Sequence, residues 1–322
     1  MQEPRFINKE QVALLLPMNE CVEVMEKMFR SLANGECVQP LRSLMWLPEK
    51  KGLLGMMPGH AESLGVSGIK VITVFHSNRD VGLPSHLGVV ILFDGKHGQP
   101  LIICDAAEIT AIRTAAASGV ATKLLAKKDA ETLTIIGAGE QAKQHIDAMI
   151  AVKKIKQINI WNRTEKNAEL LAEKTFENYK IPVSVKKKAK EAVNNVDIIC
   201  TTTSSSEPII RGEWISEGTH INAVGSSIAV ARELDTNAVV RAKLFTDCYE
   251  SIFNEGGDFL IPKKEGAIND DHVKAEIGEV LLGKKKGREN DKEITLFKSL
   301  GIAAEDIFSA HHIYKKLLGK VS

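Results

Sequence analysis

The chain has 322 residues, of which 44% are hydrophobic and 26% are charged, and 42 Lys and Arg residues face 41 Asp and Glu residues. This length and composition indicate a globular protein that divides better into two domains than one. A formal charge of +1 and the lack of eighteen uninterrupted apolar residues argue against a nucleic acid partner and against a membrane span.

The first hundred residues combine a helix with a series of strands. A helix is predicted around residues 18–32, and few helices interrupt the β-rich segments that follow. These segments are residues 41–47, 52–57, 68–75, 86–93 and 100–104. The pattern predicts a mixed or antiparallel sheet.

An alanine-rich segment then marks a change of pattern. Residues 106–125 predict a helix whose small side chains allow close packing, and we interpret it as the bridge between domains. After Lys128, strands and helices alternate, which is typical of a parallel, doubly wound sheet.

The last strand and helix, at residues 294–298 and 303–318, complete the predicted organisation, and we expect the helix to pack on the first domain. The fold class is therefore α/β, with two domains. An α+β domain is predicted at residues 1–112 and 302–322, and a Rossmann-type domain at residues 113–301.

A glycine-rich turn follows the first strand of the alternating region. The apolar run Leu133-Thr134-Ile135-Ile136 leads into Gly137-Ala138-Gly139-Glu140-Gln141-Ala142 and a helix. Gly137 permits a tight turn, Gly139 lets the backbone approach a pyrophosphate, and Ala142 allows close helix packing. The motif alone is weak, but the order of strand, turn and helix predicts a dinucleotide site.

The end of the next strand indicates which nicotinamide cofactor binds. NAD enzymes usually place an acid about 20 residues after the turn, whereas Asn162-Arg163-Thr164 stands here. Arg163 can pair with the 2′-phosphate of NADPH, while Asn162 and Thr164 donate hydrogen bonds. We therefore predict NADPH, with NADH as the alternative; in that case Arg163 is a solvated helix-cap residue and Glu165 supplies the acid.

Two further strand ends carry small polar residues. Thr201-Thr202-Thr203 and Gly225-Ser226-Ser227 each follow a predicted strand. Because ligands of open α/β sheets lie beyond the carboxyl ends of the strands, we expect both segments beside the nicotinamide. Ordinary loop chemistry is the alternative interpretation.

Candidate catalytic cations lie outside this domain or at its start. Reduction of a small acid or imine requires a fixed cation and a proton source, and Arg42, Lys70 and Arg113 are the candidates. Lys70 interrupts an apolar strand, where a partly buried amine has a lowered pKa. The alternative interpretation is a lysine that faces solvent on an alternating strand.

The remaining features indicate no metal and a reducing compartment. The five cysteines are far apart without a C-x-x-C pair, and the first residues lack the basic and apolar pattern of a signal peptide, so we expect free thiols and a cytoplasmic location. His311 and His312 are adjacent on a helix and point in different directions. The runs of three lysines at 186–188 and 284–286 are interpreted as solvated surface.

Seven stretches of the chain are long enough to be distinctive. They are Val38-Gln39-Pro40-Leu41-Arg42, Gly55-Met56-Met57-Pro58, Leu83-Pro84-Ser85-His86, Thr110-Ala111-Ile112-Arg113-Thr114-Ala115-Ala116, Ile160-Trp161-Asn162-Arg163-Thr164, Gly218-Thr219-His220-Ile221-Asn222-Ala223-Val224-Gly225 and Phe297-Lys298-Ser299-Leu300-Gly301. Over nearly its whole length the chain resembles the ornithine cyclodeaminase and mu-crystallin family.

This resemblance implies a homodimer whose first domain supplies the dimer sheet and the substrate pocket. Arg42 would bind the substrate carboxylate, Lys70 would be the catalytic lysine, and Ser227 would contact the substrate. The mu-crystallin branch also has Asn-Arg-Thr at the strand end, in agreement with NADPH. The implied cofactor contacts are Ser85, His86, Arg113, Gly137, Ala138, Gly139, Glu140, Gln141, Asn162, Arg163, Thr164, Asn167, Thr202, Thr203, Val224, Gly225, Ser227 and Ser299.

Ser227 separates the chemistries known in this family. Ornithine cyclodeaminases and related alanine dehydrogenases carry an aspartate there, six residues before Glu233, and a serine cannot replace it in proton transfer. The first hypothesis is therefore an NADPH-dependent reductase of cyclic ketimines such as pyrroline- or piperideine-2-carboxylate. The alternatives are an alanine-type amino-acid dehydrogenase, an ornithine cyclodeaminase, or a cofactor-loaded carrier of a carboxylate ligand of thyroid-hormone type with little turnover.

Overall fold

The computed structural model describes residues 3–320 and, for His76 and Arg79, the backbone only. The described chain forms two compact units. Unit 1 runs to Thr114 and is completed by the segment from Ile302 onward, and unit 2 is Ala115–Gly301.

Unit 1 is built on a mixed sheet of seven strands. They are β1 (Arg5–Ile7), β2 (Cys37–Val38), β3 (Ser43–Trp46), β4 (Leu53–Ala61), β5 (Val66–Val74), β6 (His86–Asp94) and β7 (Pro100–Asp105). Their order is β1-β7-β6-β5-β4-β2, and β3 also pairs with β4. The pairs from β4 to β7 are antiparallel and β1 is parallel to β7, so the predicted mixed or antiparallel sheet is confirmed.

Helices cover this sheet. They are α1 (Lys9–Leu15), α2 (Met18–Ala33) and the C-terminal α11 (Ala303–Leu317). On α2, Cys21, Met25, Met28 and Phe29 are buried at helical spacing, which makes one apolar face. Helix α11 packs on α2 and on strands β4 to β7. Its first turn is thereby held against the middle of the sheet.

The helix α3 (Ala106–Leu125) begins in unit 1 and ends in unit 2. Its bounds are those predicted from the alanine-rich segment. Buried residues occur all round it, among them Ala115, Ala116 and Ala117. Small side chains allow this because they let neighbouring elements approach on every side.

Unit 2 contains a parallel sheet of eight strands. They are β8 (Thr132–Ile136), β9 (Gln157–Trp161), β10 (Val183–Val185), β11 (Ile198–Thr201), β12 (His220–Ala223), β13 (Ala242–Thr246), β14 (Val273–Glu276) and β15 (Ile294–Lys298). Their order is β10-β9-β8-β11-β12-β15-β13-β14, and every pair is parallel. Successive strands are added on one side of β8 as far as β10 and on its other side from β11 onward. The strand order therefore reverses between β8 and β11, where doubly wound folds bind ligands.

The helices of unit 2 connect these strands. They are α4 (Glu140–Val152), α5 (Glu165–Tyr179), α6 (Ala189–Val193), α7 (Thr236–Arg241), α8 (Tyr249–Glu255), α9 (Gly257–Lys264) and α10 (Ile277–Leu281). The predicted doubly wound α/β fold is confirmed. The sequence did not predict α7 to α10 or β14, because elements of four to eight residues present too few apolar positions to define a period.

Short 3-10 helices complete the structure. They lie at Pro48–Lys50, Glu62–Leu64, His76–Val81, Gly212–Trp214 and Asp270–His272. Among the residues that the structure describes, no helix combines the length and the apolar character needed to cross a bilayer.

Candidate functional site

Unit 1 contains a buried lysine on the sheet face that α11 covers. Lys70 of β5 lies between Met57 of β4 and Val90 of β6 and is 2% exposed. Its Nζ is 2.7 Å from Oδ2 of Asp306 and donates a hydrogen bond of 3.3 Å to Thr110 Oγ1. The alternative prediction of a lysine that faces solvent is therefore wrong.

Arg113 of α3 joins the same cluster. Its Nε lies 3.0 Å from Oδ1 of Asp306, and its Nη1 pairs with Glu305. Both acids are in the first turn of α11 and are buried. The family resemblance predicts a cofactor contact for Arg113, and the structure shows this guanidinium beside Lys70, bound to two carboxylates.

The charges around Lys70 act in opposite directions. Burial lowers the pKa of Lys70, the positive charge of Arg113 lowers it further, Asp306 raises it, Arg42 lowers it, and the result is about 8. Lys70 is thus an ammonium at neutral pH that can release its proton readily. Burial also disfavours the charge of Arg113, but Asp306 and Glu305 outweigh burial and raise its pKa.

Arg42 completes a set of three cations. It is half-buried in the segment between β2 and β3, and its charge acts on Lys70. Three cations and two carboxylates leave one net positive charge in this cluster. We call the set of Arg42, Lys70, Arg113, Glu305 and Asp306 the Lys70 cluster. Its charge suits a single carboxylate ligand.

Two other predicted residues of unit 1 lie at the start of β6. Ser85 Oγ and His86 Nδ1 are 3.0 Å apart, and Ser85 O accepts a hydrogen bond from Phe75 N. The preceding turn is closed by Asn78, whose Nδ2 donates to Pro84 O. Ser85 and His86 are therefore held in one turn.

The predicted dinucleotide turn has the required backbone geometry. Gly137 follows β8 with φ of 120°, and a Cβ there would lie 2.8 Å from Oγ1 of Thr202. Gly139 is the N-cap of α4, no side chain caps this end, and a Cβ on it would meet nothing within 4 Å. Ala138 leads into the cap, and Glu140 and Gln141 form the first turn of the helix. Anions bind at this end of a helix because the first backbone N–H groups have no acceptor within the helix.

The strand end predicted to select the cofactor lies at the same edge of the sheet. Asn162 Nδ2 donates to Thr164 O at 2.9 Å, and Asn167 N donates to the same oxygen at 3.1 Å. Thr164 is the N-cap of α5 without a side-chain hydrogen bond to the helix, and Arg163 is exposed. Lys187 O accepts a hydrogen bond from the Trp161 indole at 3.3 Å, which ties the lysine run to this strand end.

A buried carboxylate joins the loops after β11 and β12. Glu233 accepts hydrogen bonds from Thr201 Oγ1, from N and Oγ1 of Thr203, and from Gly225 N. Burial raises the pKa of Glu233. Val224 N also donates to Thr201 O at 3.0 Å. The two predicted cofactor loops are therefore held together by one side chain, which the sequence did not identify in this role.

A second buried lysine supports these loops. Lys298 ends β15, is 0% exposed, and lies 2.9 Å from Oδ2 of Asp258. Its Nζ also donates to Ser226 O, and Oδ1 of Asp258 accepts from the N–H groups of Glu233 and Leu234. Each charge of the pair is thus bonded to backbone as well as to its partner.

Ser227 and Ser299 flank this support. Ser227 is half-buried in the loop that follows β12. Ser299 follows β15, and its N donates to Ala223 O at 3.1 Å. Its Oγ is buried without a hydrogen-bond partner among the described residues. A buried hydroxyl of this kind is a ready donor or acceptor for a ligand.

Sequence reasoning missed Glu305, Asp306 and Lys298. Acids in the first turn of a helix are usually solvated partners of the helix dipole, so Glu305 and Asp306 raised no expectation. A usable signal was present, because they interrupt the apolar run from Ala303 to Ala310. Lys298 carried the same signal as Lys70, since it closes an apolar strand.

The model of the ornithine cyclodeaminase/mu-crystallin family matches residues 2–321. The chain belongs to this family. The resemblance inferred from seven stretches of sequence is thereby confirmed.

Relatives of several activities are similar along their whole length. The structure of the Thermococcus litoralis Delta(1)-pyrroline-2-carboxylate reductase in complex with NADH and L-proline is 41% identical, with a TM-score of 0.95 and 98% of both chains covered. The ketimine reductase mu-crystallin of Mus musculus is 36% identical over 97% of this chain and 96% of its own. An archaeal alanine dehydrogenase dimer with bound NAD is 35% identical, with a TM-score of 0.93 and 100% of this chain and 98% of its own covered.

Proposed function

We propose that this chain is an NAD(P)-dependent reductase of cyclic imino acids of the pyrroline-2-carboxylate or piperideine-2-carboxylate type. The observation that carries this proposal is the buried ammonium of Lys70, which lies between a carboxylate and two arginines. Relatives named for this chemistry share 41% and 36% of their residues with the chain and cover nearly all of it.

The Lys70 cluster recognises the substrate carboxylate. Arg42 is half-buried and offers a planar fork that matches a carboxylate. Arg113 is neutralised in part by Glu305 and Asp306, so it contributes charge and rigidity rather than a mobile contact. Binding one carboxylate brings the formal charge of the cluster from +1 to zero, which offsets the cost of burying the ligand.

Lys70 supplies the proton. Reduction of a C=N bond places a hydride on carbon and a proton on nitrogen. Nζ of Lys70 donates a proton to the imine nitrogen, is left as a neutral amine, and recovers a proton from water after product release. A pKa of about 8 fits this cycle, because the group is protonated at neutral pH and a weak enough base to give its proton up.

Unit 2 fits a dinucleotide cofactor. The glycine turn leaves open space above Gly139 at the N-terminus of α4, the kind of position at which a pyrophosphate binds. Ser299, which follows β15, offers a buried Oγ that has no hydrogen-bond partner among the described residues. Glu233 accepts hydrogen bonds from the N–H groups of Thr203 and Gly225 and so holds their loops together. A bound nicotinamide cofactor supplies the hydride that the imine carbon receives.

The cofactor is NADPH rather than NADH in this proposal. Arg163 is exposed at the end of β9, where Asn162 and Thr164 form a turn without an acid that would hold a ribose 2′-hydroxyl. The backbone of the lysine run 186–188 is bonded to the same strand, which adds positive charge. The structure of the Thermococcus litoralis relative contains NADH, so the selection needs a direct test.

Replacement of Arg163 by Gln tests the selection. We expect kcat/KM for NADPH to fall about 10-fold or more, because a charge-assisted hydrogen bond contributes about 1.5–3 kcal/mol, while kcat/KM for NADH stays nearly constant. Lys174→Gln is the control, since it removes an exposed charge from the middle of α5. Equal losses with both cofactors would contradict a 2′-phosphate contact.

Ser227 favours reduction over cyclodeamination. Its hydroxyl is half-buried in the loop after β12 and carries no charge at any pH at which the enzyme works. Cyclodeamination asks the residue at this position for proton transfer, whereas reduction of a preformed imine places no such demand. Ser227 therefore offers a neutral hydrogen-bonding group, which suits reduction of a preformed imine.

A steady-state assay tests the proposed function. NADPH and NADH oxidation are followed with pyrroline-2-carboxylate, piperideine-2-carboxylate and pyruvate, each with and without ammonia. Oxidation with the cyclic imines and without ammonia supports the proposal. Ornithine in the presence of NAD is the control for cyclodeamination. If the protein binds these imines but reduces none of them, the reductase proposal is contradicted and a carrier function is favoured.

An alanine-type dehydrogenase is the second candidate. The similarity to an archaeal alanine dehydrogenase favours it, at 35% identity over the whole chain. That reaction builds the imine from pyruvate and ammonia within the site, so it requires saturating ammonia. Oxidation that depends on both compounds and exceeds the rate with the cyclic imines would favour this candidate.

The chain assembles as a homodimer through the β2–β3 edge of unit 1. Val38, Leu44, Met45 and Trp46 are exposed there, with Trp46 at 57%, and such a cluster on a free monomer is a liability in water. The archaeal alanine dehydrogenase is a dimer. Light scattering after Met45→Glu is the test: a monomer supports this edge, and an unchanged mass contradicts it. Leu170→Glu, on the exposed face of α5, is the control.

The protein resides in the cytoplasm or another reducing compartment. Cys21, Cys104 and Cys200 are buried as free thiols. Burial raises the pKa of each to about 12, so they are unreactive toward oxidants. Detection of the protein in the cytosolic fraction is the measurement.

A further inference from the structure

Asp306 has a position in the Lys70 cluster that the proposed function does not explain. Its Oδ2 lies 2.7 Å from Nζ of Lys70 and its Oδ1 lies 3.0 Å from Nε of Arg113, so one carboxylate binds both cations. All three side chains are almost completely buried. A carboxylate in this place decides both where the ammonium points and whether the ammonium is charged.

We propose that Asp306 is a positioning residue, which anchors the ammonium of Lys70 from α11 and keeps it charged until the imine nitrogen takes its proton. This inference rests on the proposed function for the last step only. The anchoring and the charge of Lys70 are properties of unit 1 and are measurable without any substrate.

The surroundings of Lys70 make Asp306 necessary. The groups that face Lys70 are Asp306 from α11, Arg113 and Thr110 from α3, Arg42 from the segment before β3, and the cross-strand residues Met57 and Val90. Burial and both arginines disfavour a third positive charge. Asp306 is the group among these that favours it, since Thr110, Met57 and Val90 carry no charge.

Glu305 provides a matched comparison on the same turn of α11. It is equally buried and pairs with Nη1 of Arg113, whereas Asp306 also lies 2.7 Å from Nζ of Lys70. The two adjacent acids therefore divide their roles. Glu305 balances Arg113, and Asp306 links Arg113 to Lys70.

The charge states balance over the reaction. Lys70 and Asp306 enter as an ammonium and a carboxylate. When Nζ gives its proton to the imine nitrogen, Lys70 becomes neutral, and Asp306 retains Arg113 as its counter-ion. No uncompensated buried carboxylate forms, and Lys70 is poised to take the next proton from water.

The test is a titration of Lys70 in the full-length protein. Lysine labelled with ¹³C at Cε is observed by NMR as the pH is raised, and the Lys70 signal is assigned by its loss in Lys70→Arg. In Asp306→Asn we expect its titration midpoint to move to lower pH by about 1–3 units, the range for loss of an adjacent opposite charge. In Glu305→Gln we expect a much smaller movement, and in Asp306→Glu a return toward the wild-type midpoint.

The pH dependence of kcat with pyrroline-2-carboxylate gives the second readout. Its basic limb is expected to move to lower pH in Asp306→Asn by the same amount as the NMR midpoint. If kcat falls while the NMR midpoint of Lys70 and the basic limb of the pH profile stay unchanged, the inference is overturned and Asp306 is a structural residue. If the wild-type protein does not reduce any imine, the proposed function fails, while the NMR titration still decides the role of Asp306.

Asp306→Asn leaves a buried guanidinium with one fewer partner, and the variant could fail to fold. In that event Arg113→Gln is compared with the double variant Arg113→Gln/Asp306→Asn, in which no such guanidinium is left. The midpoint of Lys70 is expected at lower pH in the double variant than in Arg113→Gln. Identical midpoints in these two proteins would overturn the inference.

Discussion

The two units each bury one lysine against one aspartate, and the two pairs differ in what else they bind. Lys70 and Asp306 of unit 1 are bonded to side chains, those of Thr110 and Arg113. Lys298 of unit 2 is bonded to a backbone carbonyl, and its partner Asp258 accepts from two backbone N–H groups. A buried charge that is tied to backbone holds loops in place, whereas one tied to side chains can change its protonation without moving the chain.

The second difference is the charge of the surroundings. Lys70 faces Arg113 and Arg42, which together with burial bring its pKa to about 8. Lys298 instead ends a strand beneath loops that Glu233 and Asp258 hold together. The distance from the lysine Nζ to the aspartate Oδ2 is similar in both pairs, 2.7 Å for Lys70 and 2.9 Å for Lys298. The surroundings of Lys70 nevertheless suit catalysis, and those of Lys298 suit support of the loops. Burial of a lysine by itself does not distinguish the two roles.

Replacement of Lys70 by Met is expected to have the largest effect on activity. kcat should fall about 10²–10⁴-fold, the usual contribution of a positioned proton donor. Stability should fall less than in the corresponding Lys298 variant, because Asp306 keeps Arg113 as a partner. Steady-state kinetics and urea unfolding of the same preparation measure both. Unchanged kcat would remove Lys70 from the mechanism.

Replacement of Lys298 by Met is expected to show the reverse pattern. The free energy of unfolding should fall by about 3–5 kcal/mol, the cost of leaving one partner of a buried ion pair uncompensated. Lys298→Met protein that remains folded at low temperature should show the basic limb of its kcat profile at the same pH as the wild type. Urea unfolding and the pH profile of kcat are the measurements. A shift of the basic limb without a loss of stability would contradict a supporting role for Lys298 and a catalytic role for Lys70.

The pH dependence of the wild-type enzyme sharpens the same comparison. In the proposed mechanism Lys70 donates a proton, so the active form is the protonated one, and kcat should fall as pH rises through about 8, by up to about tenfold per unit above it. Below that pH the limb should be flat until another group titrates. Initial rates measured from about pH 6 to about pH 10 test this. A rate that rises through pH 8 would require the neutral amine as the active form.

Replacement of Ser299 by Ala is expected to have the smallest effect. It distinguishes a ligand contact at Ser299 from the supporting role of the adjacent Lys298. Ser299 Oγ has no partner among the described residues, so its removal should leave the free energy of unfolding nearly unchanged. If it contacts the cofactor, KM for the cofactor should rise about 2–10-fold, as for a net hydrogen bond of about 0.5–1.5 kcal/mol. Unaltered KM would exclude Ser299 from the cofactor site.

Much of the fold followed from local sequence patterns. The bounds of α3 and β15 agree with the predicted ones, because each is a regular apolar or alanine-rich run with clear breaks at both ends. Between residues 236 and 281, short helices joined by tight turns gave no readable period. Strand β4 extends to Ala61 through Pro58 and Gly59, residues that usually end a strand.

The candidate site divided in a similar way. Gly137 and Gly139 were recognisable because a phosphate-binding turn needs glycine at fixed spacing within one short segment. Arg42 depended on the family resemblance, since one charged residue in a predicted strand has no local signature. Lys70 was indicated by its place in an apolar strand, but only the resemblance implied a catalytic role for it. Asp306 could not be connected with Lys70, because the two partners of this ion pair are 236 positions apart in the chain.

By itself, the sequence determined the doubly wound sheet, the dinucleotide turn and membership in the family, since each is written in contiguous residues. The tertiary structure alone decided which charges surround Lys70. That decision depends on the side chains that α3 and α11 bring to β5, namely Arg113 and Asp306. Electrostatic energy depends on distance in space and on burial, and neither quantity is a property of position along the chain.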